Sequence, residues 1–108
     1  RFPTHPFSWK VLGVVLRKLG RNNESLTVTQ KCVQLAPQDA EAHNNLGIAL
    51  KELEKLDEAE ASCRQAIALK PNFAEAHYNL GLALQELDRL DEAEESYRQA
   101  IALKPDIV

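Results

Sequence analysis

Apolar residues in the middle of the chain fall in stripes. Ala42, Leu46, Ala49, Leu50 and Leu53 keep the three-and-four spacing of one face of an amphipathic helix. Glu54-Lys55-Leu56 interrupts the stripe as a short turn. A second stripe then runs through Ala59, Cys63, Ala66, Ile67 and Leu69. Lys70 complements the carbonyl end of that helix, and Pro71 stops it. Asp57, three residues before Glu60, predicts an N-cap with an acid at the third position, and Asp91 with Glu94 predicts the same. In the first third the turn is Gly20-Arg21-Asn22. Gly20 is the expected left-handed residue after a helix, and Asn23 is the expected cap of the next. The pattern predicts an all-α chain of paired helices.

The pairs repeat. Pro3, Pro37, Pro71 and Pro105 are each 34 residues apart, and residues 40–73 and 74–107 are identical at 25 of 34 positions. Ala-Glu-Ala-His, Leu-Asp-Glu-Ala-Glu and Arg-Gln-Ala-Ile-Ala-Leu-Lys-Pro occur in both copies. Residues 6–39 are a more diverged copy, in which Trp9 aligns with His43 and His77, Leu12 with Leu46 and Leu80, and Gly13 with Gly47 and Gly81. A single hairpin cannot bury its apolar face, whereas stacked copies share a continuous core. Gly47, Ala49, Ala59 and Ala66 recur as Gly81, Ala83, Ala93 and Ala100. Such small residues let helices approach closely. The expected organisation is one domain over residues 1–108, with repeats at about 6–39, 40–73 and 74–107 and residues 1–5 as the tail of a preceding repeat.

A helix–turn–helix unit of 34 residues with Trp9, Leu12, Gly13, Ala59/Ala93, Tyr97 and closing prolines resembles the tetratricopeptide repeat. The resemblance implies three hairpins in a right-handed superhelical stack, an α-solenoid. His43 and His77 depart from the family's usual aromatic, and Glu54 and Asp88 stand where its turn often has Gly, which predicts turns that are slightly strained or differently shaped. The family's terminal solubilising helix is also missing. Together with Pro3 and the absence of any Met, this suggests a piece of a longer array. Uncapped apolar faces, Ile101 and Ile107 among them, are expected to favour self-association.

The resemblance further implies that the first helix of each hairpin lines a concave, partner-binding face. In the first copy its outward positions include Phe7, Lys10, Val11, Val14, Arg17 and Lys18. In the second they include Glu41, Asn44, Asn45, Ile48 and Lys51, with Glu52. In the third they include Glu75, Tyr78, Asn79, Leu82 and Gln85, with Glu86. A carboxylate clamp like that of chaperone-binding members needs cations and asparagines over three repeats. Lys10 and Asn45 match it; Val14, Glu75 and Asn79 do not. Asn45 and Asn79, at equivalent places, form instead a short ladder of amides able to donate to and accept from a peptide backbone. That ladder, and the wording Ala-Glu-Ala-His-x-Asn-Leu-Gly, is similar to repeats of O-linked N-acetylglucosamine transferases.

Charge narrows the partners. The 108-residue chain carries a formal −3, but residues 1–39 hold six basic and two acidic side chains, +4, and residues 40–108 hold seven and fourteen, −7. An acidic majority disfavours nucleic acid. No apolar run approaches the ~20 residues of a membrane span. Cys32 and Cys63 lack the spacing of a metal or redox motif and read as buried thiols on apolar faces. His43 and His77 read as packing residues, since zinc needs about four convergent ligands; His5 adds nothing. The carboxylates at Asp57, Glu58, Glu60, Asp91, Glu92, Glu94 and Glu95 gather at helix starts and not in a pocket. The sequence therefore predicts a non-catalytic, cofactor-free cytoplasmic scaffold that binds a protein or peptide. The alternatives are a substrate-recruiting segment of a larger glycosyltransferase-type enzyme, or homotypic assembly.

Overall fold

A computed structural model describes residues 6–106 of the chain, with side chains from residue 9 onward. Among the described residues there are six α-helices and no strand: α1 (Pro6–Lys18), α2 (Asn22–Leu35), α3 (Ala40–Glu52), α4 (Leu56–Leu69), α5 (Ala74–Glu86) and α6 (Leu90–Leu103). They form three hairpins stacked in chain order, in a body of 44 × 25 × 22 Å. Elongation follows from each hairpin touching only its neighbours. None of these helices is long and apolar enough to cross a membrane.

The three turns inside the hairpins are built alike. Gly20, Glu54 and Asp88 have φ of 78°, 61° and 63°. The amide of each donates three residues back, to Arg17, Lys51 and Gln85, and the next amide donates five residues back, to Leu16, Leu50 and Leu84. This is a Schellman motif, whose left-handed residue suits glycine. Gly20 meets the expectation. Glu54 and Asp88 carry the expected strain, because a Cβ at positive φ crowds the following carbonyl. Glu54→Gly is expected to raise stability by about 0.5–1 kcal/mol in urea titrations, strain relief outweighing the added freedom of the unfolded chain. Asp88→Gly should gain less, since Asp tolerates this region better. A loss at position 54 would mean that the turn is not strained.

The same turns overrule the expected caps. Each turn delivers its chain straight into the next helix, so α4 and α6 begin at Leu56 and Leu90, after Lys55 and Arg89, which make no side-chain cap bond. Asp57 and Asp91 therefore lie inside the first turn, and neither capping box forms. Likewise α2 starts at Asn22, not after Asn23. A side-chain cap does occur where the chain passes between hairpins: Asp39 accepts from the Glu41 amide at 3.0 Å.

The core lies between hairpins as much as within them. One cluster joins Cys63, Leu80, Leu84 and Ala93, with Ile67 and Tyr97 against it; another joins Leu50, Ala59 and Ala83, with Leu26 and Leu46. The small residues are all buried there, as expected. A Cβ on Gly47 would stand 2.7 Å from the Cys63 sulfur. His43 Nε2 donates to the Pro37 carbonyl at 2.9 Å and His77 Nε2 to that of Pro71 at 3.0 Å. Each imidazole thus ties its helix to the closing proline of the preceding repeat, a packing role. Cys32 and Cys63 are free and buried. Burial pushes the Cys63 thiol up to about 12 and also raises that of Cys32, so neither is a nucleophile at neutral pH.

The second helices carry an ionic network. Glu60 accepts from Arg64 at 2.9 Å and from Arg89 at 2.7 Å, and Arg89 also reaches Glu92 at 2.7 Å. Partial burial alone would raise the Glu60 pKa, but its bonds to Arg89 and Arg64 outweigh that and hold it below the usual 4.5. A carboxylate with a lowered native pKa adds stability that is complete above its unfolded value and lost as pH falls through the native one. The urea midpoint should therefore fall as pH drops below about 4.5. Glu60→Gln should flatten part of that slope; an unchanged slope would show that Glu60 takes no part in it.

Candidate functional site

The first helices, α1, α3 and α5, lie side by side and form one face across all three repeats. Val14, Ile48 and Leu82 recur on it at equivalent places, each half-buried. Around this apolar row stand the amides and charges that the sequence placed there: Lys10, Arg17, Asn45, Lys51, Tyr78 and Asn79, half-buried, and Lys18 and Gln85, exposed. The side chain of Phe7 lies outside the described residues.

One expected residue does not face outward. Asn44 is only 5% exposed, and its Oδ1 accepts from Asn79 Nδ2 at 3.1 Å. It lies at the edge of the α3 stripe that α5 covers, so the neighbouring repeat closes it off. This also divides the asparagine ladder. Asn79 is tied to the repeat before it, whereas Asn45 has no side-chain hydrogen bond among the described residues. The two are equivalent in sequence but not in surroundings. The residue that Asn79 meets is Asn44, and the first repeat has Lys10 in its place.

Lys10 is itself engaged. Its Nζ lies 2.9 Å from an Asp39 oxygen and 2.8 Å from a Glu41 oxygen. Burial would lower its pKa, but the bonds to Glu41 and Asp39 raise it above the ordinary lysine value. Lys51 lies 3.9 Å from Glu86, one repeat on. Glu75 pairs with Lys104 at 3.0 Å, a bond that lowers its pKa. Tyr78 tilts at 48° against Tyr97, with ring centres 5.8 Å apart, and the Tyr97 hydroxyl donates to Gln85 Oε1 at 2.6 Å.

A groove of about 230 Å³ opens between α1 and α3, lined by Lys10, Val11, Val14, Val15, Glu41 and Asn45. Val11 and Val15 are 48% and 46% exposed. Sequence reasoning did not assign Val15, Asp39 or Tyr97 to this region. Asp39 was readable as a helix cap, but its reach to Lys10 spans 29 residues and depends on how two repeats pack. Among the described residues, no group of three or more His, Cys, Asp or Glu could hold a metal ion.

The tetratricopeptide repeat family model matches residues 40–73 and 74–107, and a second model, described as TPR repeat, matches residues 13–54. No curated protein matches the chain. Several solved structures are similar to it. The first TPR of Spaghetti (RPAP3), bound to the HSP90 peptide SRMEEVD, has a TM-score of 0.90 at 26% identity, over 94% of this chain and 81% of its own. MamA has a TM-score of 0.89 at 31% identity, over 95% of this chain and 60% of its own. YrrB, described as a TPR protein with an unusual peptide-binding site, has a TM-score of 0.87 at 30% identity, over 94% and 53%. The chain thus spans little more than half the length of the last two.

Proposed function

We propose that this chain, which belongs to the tetratricopeptide repeat family, is a protein-interaction scaffold that takes an extended peptide along the face of α1, α3 and α5. The observation that carries the reading is the half-buried apolar row Val14, Ile48 and Leu82, repeated across three hairpins and flanked by amides and charges. A row of that period offers side-chain contacts, and the amides beside it offer backbone contacts. The peptide bound by the first TPR of Spaghetti supports the same use of the fold. The role is binding and not chemistry: both thiols are buried with raised pKa, and the acids of the first turns of α4 and α6 are solvated. Free thiols and an acidic balance suit a cytoplasmic protein with neither nucleic acid nor membrane as partner.

The test is fluorescence anisotropy with a labelled random-peptide pool. An Ile48→Arg/Leu82→Arg variant of matched helicity should bind more than tenfold more weakly, about 1.4 kcal/mol. Undiminished binding would move recognition to another surface.

A second reading has its own observation. Leu90 and Ile101 are 57% and 54% exposed, while their equivalents Leu56 and Ile67 are half-buried, Ile67 against the cluster that holds Leu80 and Leu84 of the next hairpin. Covering α6 with another helix, as α5 covers α4, would give homotypic assembly; Ile107, expected to join this face, lies outside the described residues. Light scattering after size exclusion should then show mass rising with concentration, and a strict monomer would exclude it. The recurrence of Asn45 and Asn79 also fits a substrate-recruiting segment of a larger glycosyltransferase-type enzyme, which assay of a longer parent would decide.

A further inference from the structure

We infer that the groove between α1 and α3 is a pocket for one aliphatic side chain of an internal, acidic peptide segment, read without help from a terminal carboxylate. This deepens the peptide-binding reading and rests on it. Size sets the ligand. About 230 Å³ is below the ~300–1,000 Å³ of sites that enclose a whole small molecule, and it suits a single side chain.

The floor sets its chemistry. Val11, Val14 and Val15 are apolar and branched, and two of them are about half exposed. At the places equivalent to Val11 the other repeats carry Asn45 and Asn79. The first repeat has therefore exchanged an amide for an apolar surface, and covering that surface releases ordered water. Asn45 forms the wall. Its amide makes no bond among the described residues, so a donor and an acceptor remain for the backbone on either side of the inserted side chain.

Charge sets the flanks. Lys10, the cation nearest the pocket, is already held by Asp39 and Glu41 and has little left for a carboxylate terminus. Glu75, farther along the face, is paired with Lys104 and offers a terminus no cation. Arg17 and Lys18, one helical turn beyond Val14, form no ion pair within 4.0 Å among the described residues. Glu52 stands at the position that Glu86 occupies opposite Lys51, yet it closes no such bridge to Arg17. The two cations therefore favour acidic residues beside the pocket, and the acidic remainder of the chain (−7 over residues 40–108) opposes placing the same segment farther along.

The probe is a fluorescein-labelled, C-terminally amidated dodecapeptide with one central Ile flanked by Asp, Glu and Gly. It should bind the chain. Changing Ile to Ser, or the acids to Lys, should weaken binding at least tenfold, and the free-acid form should match the amide within about twofold. Val11→Asn, at an exposed position and using the residue of the other repeats, should also weaken it at least tenfold at unchanged helicity. Arg17→Gln/Lys18→Gln should weaken it and flatten its salt dependence. The inference is overturned if Ile and Ser peptides bind alike, if Val11→Asn or the Arg17/Lys18 variant changes nothing, or if amidation abolishes binding. If this probe fails while the random pool still binds in a manner sensitive to Ile48→Arg/Leu82→Arg, the pocket is wrong and the scaffold reading stands. If neither binds, both fall.

Discussion

Leu84→Ala is expected to cost about 2–5 kcal/mol, the range for removing a fully buried leucine side chain. Leu84 is 0% exposed and sits in one cluster with Cys63 of α4, Leu80 of its own helix and Ala93 of α6. It therefore stabilises the third hairpin and the interface of that hairpin with the second at once. In a stacked array, stability is a sum over hairpins and their interfaces. The truncation should lower the urea midpoint and also uncouple the third hairpin, so that the transition broadens and its slope falls. Leu16 occupies the equivalent place in α1 at 6% exposure, and no hairpin precedes α1 among the described residues. Leu16→Ala should therefore shift the midpoint less and leave the slope nearer its original value. Equal effects at the two positions would mean that the inter-repeat contact adds nothing beyond packing within the hairpin.

Most of the fold was legible because its determinants are periodic. The spacing of Ala42, Leu46, Ala49 and Leu50 fixes the buried stripe of α3, and the recurrence at 34 residues fixes the stacking partner. Gly20 announced its own positive φ; Glu54 and Asp88 could be placed in the same conformation only by aligning them with the family's turn. The helix starts were less legible. A cap rule reads an acid followed by an acid, but a Schellman turn sets the chain direction first and leaves Asp57 and Asp91 two positions past the cap. At the candidate site the contacts between side chains were not legible. Asn44 sits on the boundary between stripe and surface, where the approach of the next helix decides burial. Asn45 and Asn79 differ because of the residue opposite each, which the pattern within one repeat does not contain. Lys10 lies on the face of the first helices, but its neutralisation by Asp39 and Glu41 comes from the start of the following hairpin.

The glycines at equivalent places in α1, α3 and α5 lead to the second large effect. A Cβ on Gly81 would lie 2.6 Å from Cε1 and 2.7 Å from Cδ1 of Tyr97, closer than real Cβ contacts come. Tyr97 cannot swing aside freely, since its hydroxyl is bonded to Gln85 and its ring rests against Tyr78. Overpacking of this kind costs about 1–3 kcal/mol. Against it stands the helix propensity of alanine, about 1 kcal/mol better than glycine in a helix interior. Gly81→Ala should therefore destabilise the protein, with the clash outweighing the propensity gain. In a Tyr97→Ala background the clash is gone and the propensity remains, so the same substitution should become neutral or stabilising by up to about 1 kcal/mol. Such a reversal of sign is a coupling that a double-mutant cycle measures directly. If Gly81→Ala costs the same with and without the Tyr97 ring, the glycine is not there to admit that ring. The close approach of α5 and α6, which also lets Tyr97 hold Gln85, would then need another cause.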